Sequence, residues 1–316
     1  MTSFTPSTFK SAPWCFNGHA HTILPSLLFN SPHLNYNTER IPTPDDDFLD
    51  IDIVKQKTTD APVAVIFHGL EGSSRRYYVR RMAQKLYERG MHIVAVNFRS
   101  CNGEMNKNRR FYHSGETEDP QTVFRWVTGQ FPKSSIFAVG FSLGASALLN
   151  TIQKNGNESN VVAFAAISTP FDLKRGSINL QNGFNRIYDY RFLRSLVRKL
   201  KQKRKTYPDL PSFDGKTLYD FDDQVTAPIH GFKDADDYYR KCSSAFFMHD
   251  IETPGLIIHS RQDPLCPFEY TPVKAINANP LLSTAFPKKG GHVGFWSLPP
   301  DWAEQNVADY FSQFSS

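Results

Sequence analysis

The chain has 316 residues and a formal net charge of +5, a length that suits one α/β domain carrying an insertion. No apolar run reaches the length of a membrane span, and residues 1–13 lack the apolar stretch behind a basic start that marks a secretory signal. The four cysteines (Cys15, Cys101, Cys242 and Cys266) are scattered with no C-x-x-C pair, which argues against disulfides and a zinc site and for a reducing, cytoplasmic setting.

The first forty residues carry several prolines and read as an irregular arm leading into a strand near Arg40. Residues 48–54 alternate apolar and acidic side chains, the pattern of a half-exposed strand. Val63-Ala64-Val65-Ile66-Phe67 is a buried strand. From Arg75 to Arg89 the apolar residues fall on one helical face, with Ser73 or Ser74 as cap and Gly90 at the end. A strand follows over 92–98, and Asp119-Pro120 opens another helix. Ile136 to Phe141 and Val161 to Ile167 are further buried strands. This alternation predicts an α/β fold whose mostly parallel sheet is covered by helices on both faces.

The rhythm breaks after Thr169-Pro170 and resumes at Gly255-Leu256-Ile257-Ile258-His259. Residues 171–247 are polar, aromatic and basic, without a clear buried strand. They predict a helical cap inserted into a core made of residues 1–170 and 248–316. Within the insertion, Phe192, Leu193, Leu196, Val197 and Leu200 recur at helical spacing, ringed by Arg191, Arg194, Arg198, Lys201 and Lys205. Arg186 to Lys205 holds nine Arg/Lys against one acid, Asp189, which leaves the remainder of the chain slightly acidic. A nucleic-acid footprint needs basic charge spread over a binding face, so no nucleic-acid partner is expected. Two readings of this helix stand: a cap with its charges in water, or a docking surface for an anionic membrane. The last helix is expected from Asp301, with Glu304 completing a capping box.

Gly140-Phe141-Ser142-Leu143-Gly144 has the form Gly-x-Ser-x-Gly, between a predicted strand and a helix of small residues and Leu. A strand entering a helix through one residue makes a sharp, strained turn that exposes the serine at the sheet's carboxyl edge. A serine needs a base, and the base needs an acid to hold its tautomer. In elbow folds the chain order is Ser, acid, His. Asp263, in Ser260-Arg261-Gln262-Asp263-Pro264, and His292, after Lys288-Lys289-Gly290-Gly291, both follow strands and meet that order. The glycine pair is expected to let the histidine loop swing. Asp250 is the substitute acid. His230 and His249 are rival bases, and His68 and His259 read as structural histidines. The oxyanion donors expected are the amides of Leu143 and of Leu70, the latter in His68-Gly69-Leu70-Glu71-Gly72; Glu71 is given no role.

His19-x-His21 resembles a metal-ligand pair, but no supporting cluster accompanies it, so no metal is expected. No lysine follows Gly144 as a phosphate loop requires, and no cofactor is expected. Phe171, Phe184, Phe221, Phe295 and Trp296 are candidates for an acyl pocket or for the core.

These residues together resemble the YheT-type branch of the α/β-hydrolases over nearly the whole chain. The resemblance rests on Asn17-Gly18-His19, His68-Gly69-Leu70-Glu71-Gly72-Ser73, Asn97-Phe98-Arg99-Ser100-Cys101, Tyr112-His113-Ser114-Gly115-Glu116-Thr117-Glu118-Asp119 and Gly140-Phe141-Ser142-Leu143-Gly144. It continues in Phe221-Asp222-Asp223, Asp234-Ala235-Asp236, Asp263-Pro264 and Gly290-Gly291-His292-Val293-Gly294-Phe295. It implies a carboxylic ester hydrolase with Ser142, Asp263 and His292 as triad, acting on a small-molecule ester. It also implies that His19 and the Tyr112–Asp119 stretch are structural. Related animal proteins act on lipids and carry a membrane anchor, which this sequence is expected to lack. An acyltransferase, thioesterase or phospholipase would use the same site. A ligand-binding protein on this scaffold would usually have lost a triad member.

Overall fold

The computed structural model describes residues 4–29, 31–156 and 160–315, so the first three residues of the expected arm lie outside the described ones. Its strands are the short apolar runs of the sequence: β1 (Asn37–Pro42), β2 (Phe48–Val54), β3 (Val63–Phe67), β4 (His92–Asn97), β5 (Ile136–Phe141), β6 (Val161–Ile167), β7 (Gly255–Ile258) and β8 (Leu282–Ala285). They form one eight-stranded sheet in the order β1-β2-β4-β3-β5-β6-β7-β8. β2 runs antiparallel to β1 and β4, and the pairings from β4 through β8 are parallel. Side chains alternate between faces along a strand. Val63, Val65 and Phe67 enter one apolar core while Ala64 and Ile66 enter the other. With both faces covered, β3 to β6 are apolar or small throughout apart from His92 and Asn97 at the ends of β4, which made them visible in the sequence.

β2 departs from expectation. Asp50 and Asp52, read as its solvent side, are buried. The neighbouring strands cover it, and Arg40 of β1 pairs with Asp50 at 2.8 Å while Ser74 and Thr38 donate to Asp52. Ser74 therefore caps nothing: α2 (Tyr77–Glu88) follows Arg76, whose side chain makes no cap. Gly90 ends that helical stretch at φ 85°, in the left-handed region glycine suits. α3 (Glu118–Gln130) follows the buried Arg99, whose guanidinium pairs with Asp119 at 2.7 Å and Asp47 at 3.1 Å. The Tyr112–Asp119 stretch is thus anchored by Arg99, with Arg110 on Glu116 at 2.7 Å. α4 (Leu143–Asn155) packs behind β5.

The N-terminal arm is also more ordered than its prolines suggest. It contains α1 (Gly18–Leu28), capped by the Asn17 side chain accepting from the Ala20 amide at 2.8 Å. Ahead of the helix, Ala12 donates to the Trp296 carbonyl and Leu298 to that of Lys10, each at 2.9 Å, so the two ends of the chain are laced together.

Between β6 and β7 lie α5 (Leu173–Leu180), α6 (Arg186–Lys203), α7 (Leu218–Phe221), a π-helical turn over Asp222–Thr226, α8 (Ala227–Ile229) and α9 (Ala235–Cys242). Among the described residues this segment contributes no strand to the sheet. Leu193 and Leu200 of α6 pack with Leu210, Leu218, Phe221 and Val225 in a separate small core. Arg191, Arg194, Arg198, Lys201 and Lys205 are exposed, but Lys199 and Lys203 turn inward. Lys203 donates to the carbonyls of Asn108 and Arg110, and burial pushes its ammonium down to about 8. α10 (Val273–Ala278) precedes β8, and α11 (Trp302–Ser312) closes the fold. Asp301 and Glu304 form no capping box there; they pair with Lys85 at 2.7 Å and Arg81 at 2.9 Å of α2.

Candidate active site

β5 ends at Phe141 and α4 starts at Leu143, so Ser142 alone makes the turn, at φ 52° and ψ −122°. Such a backbone is strained for a residue with a side chain. The flanking glycines are required by close approach. A Cβ on Gly140 would lie 2.5 Å from Ala145 Cα, and one on Gly144 would lie 2.4 Å from the His68 carbonyl oxygen. The helix therefore sits hard against the end of β3, with Ser142 raised between them.

His292 arrives from the loop after β8. Its Nε2 is 2.8 Å from Ser142 Oγ, and its Nδ1 is 2.9 Å from Asp263 Oδ2. Asp263 follows β7 and is fully buried on its side chain. It also accepts from the amides of Leu265 and Cys266, each at 2.9 Å. Burial pushes this carboxyl up, but the neighbouring His292, with smaller help from His259 and the Cys266 amide, outweighs it and holds the group below the ordinary carboxylate range. With the carboxylate on Nδ1, Nε2 is left free to accept from the serine hydroxyl.

The histidine loop is held and does not have the freedom expected of its glycines. The His292 amide donates to Thr22 Oγ1 at 2.9 Å, and the Val293 amide, at φ 51°, donates to Ser168 Oγ at 3.0 Å. Gly291 is small because Thr22 of α1 is there: a Cβ would meet the Thr22 amide at 2.5 Å. Gly18 approaches the Asp263 loop as closely, with its Cβ position 1.8 Å from the Gln262 carbonyl oxygen. α1 thus braces the loops of both His292 and Asp263. Asn17-Gly18-His19 and Gly290-Gly291-His292 stand among the family's motifs in the sequence, but the sequence reading did not see that they meet.

The loop after β3 lies beside Ser142, with the Gly69 Cβ position 3.0 Å from Ser142 Cβ. Within it, the amides of Gly69, Glu71 and Gly72 donate to Tyr78, Tyr112 and the Gly69 carbonyl. The Leu70 amide has no acceptor among the described residues. The Leu143 amide, at the first position of α4, has no intrahelical acceptor either. Ser142 and His292 open into a cleft of about 530 Å³ walled by α1, this loop and α6, with Leu27, Leu70, Tyr188, Phe192 and Leu265 on its walls.

The remaining candidates lie elsewhere. Asp250 is exposed and pairs with His249 at 3.2 Å. His68 Nε2 accepts from the Phe98 amide and its Nδ1 meets the Gly69 carbonyl, which makes it a structural pin for the loop. His259 donates from Nε2 to the Cys266 carbonyl at 2.7 Å, behind Asp263. His230 packs against His113, ring centroids 4.4 Å apart and planes tilted by 59°. His19 Nδ1 meets Tyr188 and His21 Nε2 meets Ser11, so the pair does not converge on one point. Asp263, Cys266 and His292 do place possible ligand atoms within 4.8 Å of one another. The Asp263 oxygens are already engaged, and burial holds the Cys266 thiol well above its usual range, hence protonated and a poor ligand. Phe171 and Phe295 belong to the main cores, Phe221 to the small one, Phe184 is exposed, and Trp296 packs on Trp14 and Phe29; none walls the cleft.

No helix among the described residues is long and apolar enough to cross a membrane. Residues 62–299 match the family described as the alpha/beta hydrolase fold. The esterase Pf2001 of Pyrococcus furiosus superposes with a TM-score of 0.59 at 18% identity, covering 90% of this chain and 99% of its own, a likeness of fold. Phospholipase ABHD3 of Homo sapiens is 27% identical over 95% of this chain and 76% of its own length. The YheT protein of Escherichia coli (strain K12) is 34% identical over 94% of this chain and 91% of its own length. With that relative, a family match spanning most of the sequence and the sheet described above, the chain belongs to the α/β-hydrolase family, in its YheT-type branch.

Proposed function

We propose that the chain is a carboxylic ester hydrolase working through Ser142, His292 and Asp263 and an acyl-enzyme intermediate. The observation that carries this reading is the 2.8 Å contact of His292 Nε2 with the hydroxyl of a serine held in a strained turn at a helix N-terminus. Ser142 Oγ attacks the ester carbonyl while His292 takes its proton. Asp263 keeps Nδ1 protonated and stabilises the imidazolium. The amides of Leu70 and Leu143 face the developing oxyanion. His292 then protonates the leaving alkoxide, and water activated by the same imidazole hydrolyses the acyl-serine.

In this reading residues 171–247 are a cap. α6 walls the cleft and carries the small core that holds the insertion in shape. The substrate is a small-molecule ester. The four free cysteines fit a reducing cytoplasm.

The test pairs a panel of p-nitrophenyl esters of graded chain length with a fluorophosphonate probe. Ser142→Ala should abolish labelling and turnover while the fold persists, because the change removes only a hydroxyl. Turnover of the Ala variant near the wild-type rate would refute the assignment.

A further inference from the structure

Glu71 follows Leu70 directly and holds its backbone at φ 52°. Glycine takes that conformation freely, whereas glutamate is strained there. A side chain anchored on all sides can hold a non-glycine residue there, and every polar group of Glu71 is engaged. Its amide donates to the Tyr112 hydroxyl at 2.7 Å, and that hydroxyl donates back to Oε1 at 3.0 Å. Arg76 donates to its carbonyl at 2.9 Å. The carboxylate receives Lys199 Nζ at 2.7 Å on Oε1 and the Ser195 hydroxyl on Oε2. Ser195 and Lys199 are four residues apart, one turn of α6, on the face turned toward the loop after β3.

The Glu71 and Lys199 side chains are only 8% and 12% exposed. Lys199 Nζ also lies 3.3 Å from Cys101 Sγ, so the ammonium sits in an enclosed pocket between α6 and the sheet edge. A buried ion pair is a weak device for stability, since apolar side chains of similar volume often serve as well. It is a strong device for fixing geometry, because losing either partner strands the other charge. Here what it fixes is the residue after a proposed oxyanion donor, and the fixing element belongs to the insertion that also walls the substrate cleft.

We propose that Glu71 is a positioning residue: clamped by Lys199 and Ser195 of α6, it sets the orientation of the Leu70 amide and makes that oxyanion donor depend on the seating of the insertion helix. The inference rests on the reading of Leu70 as an oxyanion donor. Its chemical consequence is that the transition state loses a hydrogen bond when α6 is displaced, although Ser142, His292 and Asp263 remain in place.

The experiment measures kcat and KM separately for p-nitrophenyl butyrate with Glu71→Gln, Glu71→Gly, Lys199→Met, Lys199→Arg and Ser195→Ala. Circular dichroism confirms that each variant is folded. Complete loss of an oxyanion donor costs about 10²–10³ in kcat, so misorientation should cost Glu71→Gln and Lys199→Met about 10–100-fold, with KM nearly unchanged. Lys199→Arg keeps the charge and should recover most of the rate. Glu71→Gly relieves the backbone strain and removes the clamp, so it should fall as Glu71→Gln does. The Glu71→Gln, Lys199→Met double variant should be little worse than either single one, because both remove the same clamp. If Glu71→Gly or Lys199→Met keeps the wild-type kcat, or if only KM changes, the proposal is overturned. Should the buried-charge variants fail to fold, half-buried Ser195→Ala decides alone: a fall in kcat at constant KM supports the clamp, and no fall overturns it. Ser142→Ala run alongside separates the two levels. If it is inactive while the clamp variants are fully active, only this inference fails; if it remains active, the reading of the site itself fails.

Discussion

Thr22→Val is the most informative single change outside the triad. Valine has the shape of threonine without the hydroxyl, so packing is kept and one oxygen is lost. That oxygen accepts the His292 amide at 2.9 Å and donates to the Gly18 carbonyl at 2.7 Å. The His292 amide is buried and would be left without a partner, which costs about 1–3 kcal/mol. For a chain of this size each kcal/mol corresponds to about 1.5 °C in melting temperature. The loop has no room to find another acceptor, because the Gly291 Cβ position is already 2.5 Å from the Thr22 amide. Any relief must move His292, and a displacement of about 1 Å from a serine now at 2.8 Å can cost about 10²-fold in rate. Thr22→Val should therefore melt a few degrees lower and lose about 10–100-fold in kcat for p-nitrophenyl butyrate, with KM little changed. Thr22→Ser restores the oxygen and should restore both. A Val variant with wild-type melting temperature and kcat would refute the claim that α1 holds the histidine loop.

Asp263→Asn should lower kcat by about 10³–10⁴ by favouring the wrong imidazole tautomer, while Asp250→Asn should change it little; steady-state kinetics on the two variants would show the reverse if Asp250 were the acid. Gly144→Ala forces a Cβ to within 2.4 Å of the His68 carbonyl oxygen and should destabilise by at least about 1–3 kcal/mol while slowing fluorophosphonate labelling of Ser142; a melt and a labelling time course check both. Burial pushes His68 and His113 down from 6.5 to about 3, so stability is full above pH 6.5 and lost as pH falls from there toward 3. Asp222, pushed up to about 6 by burial, opposes them below pH 6. His21, pushed down to about 4, and His230, pushed down further, act with His68 and His113, and Asp119, pushed up to about 6, opposes them with Asp222. The net should be a loss of several kcal/mol between about pH 7 and pH 5, which urea titrations at the two values measure.

The catalytic candidates were legible because their signals are local. Each sits in a short loop just past a buried strand, and chain order ranks Ser142, Asp263 and His292 without knowledge of packing. The loop that holds Leu70 follows β3 in the same way. What escaped depends on residues far apart in sequence. Asp50 and Asp52 look like a solvent face because their partners cannot be seen along β2 itself. Lys199 and Lys203 look like part of a solvated basic surface, since nothing in the helix reveals Glu71 or the carbonyls of Asn108 and Arg110. Pro25 lies inside α1 and suggested an irregular arm. The aromatic pocket candidates failed because aromatic side chains serve cores and clefts alike.

The lacing of the two chain ends has a consequence for synthesis and refolding. The brace between Thr22 and His292 spans 270 residues, and the serine–histidine contact spans 150. A nascent chain that has released its elbow still has no base. Once the base emerges, it must find a partner made 270 residues earlier. Closing so long a loop is an entropic barrier met late, after the local βα units have formed. During refolding, native-like helix content should return before esterase activity, and the interval between them times the docking of the first thirty residues onto the last thirty.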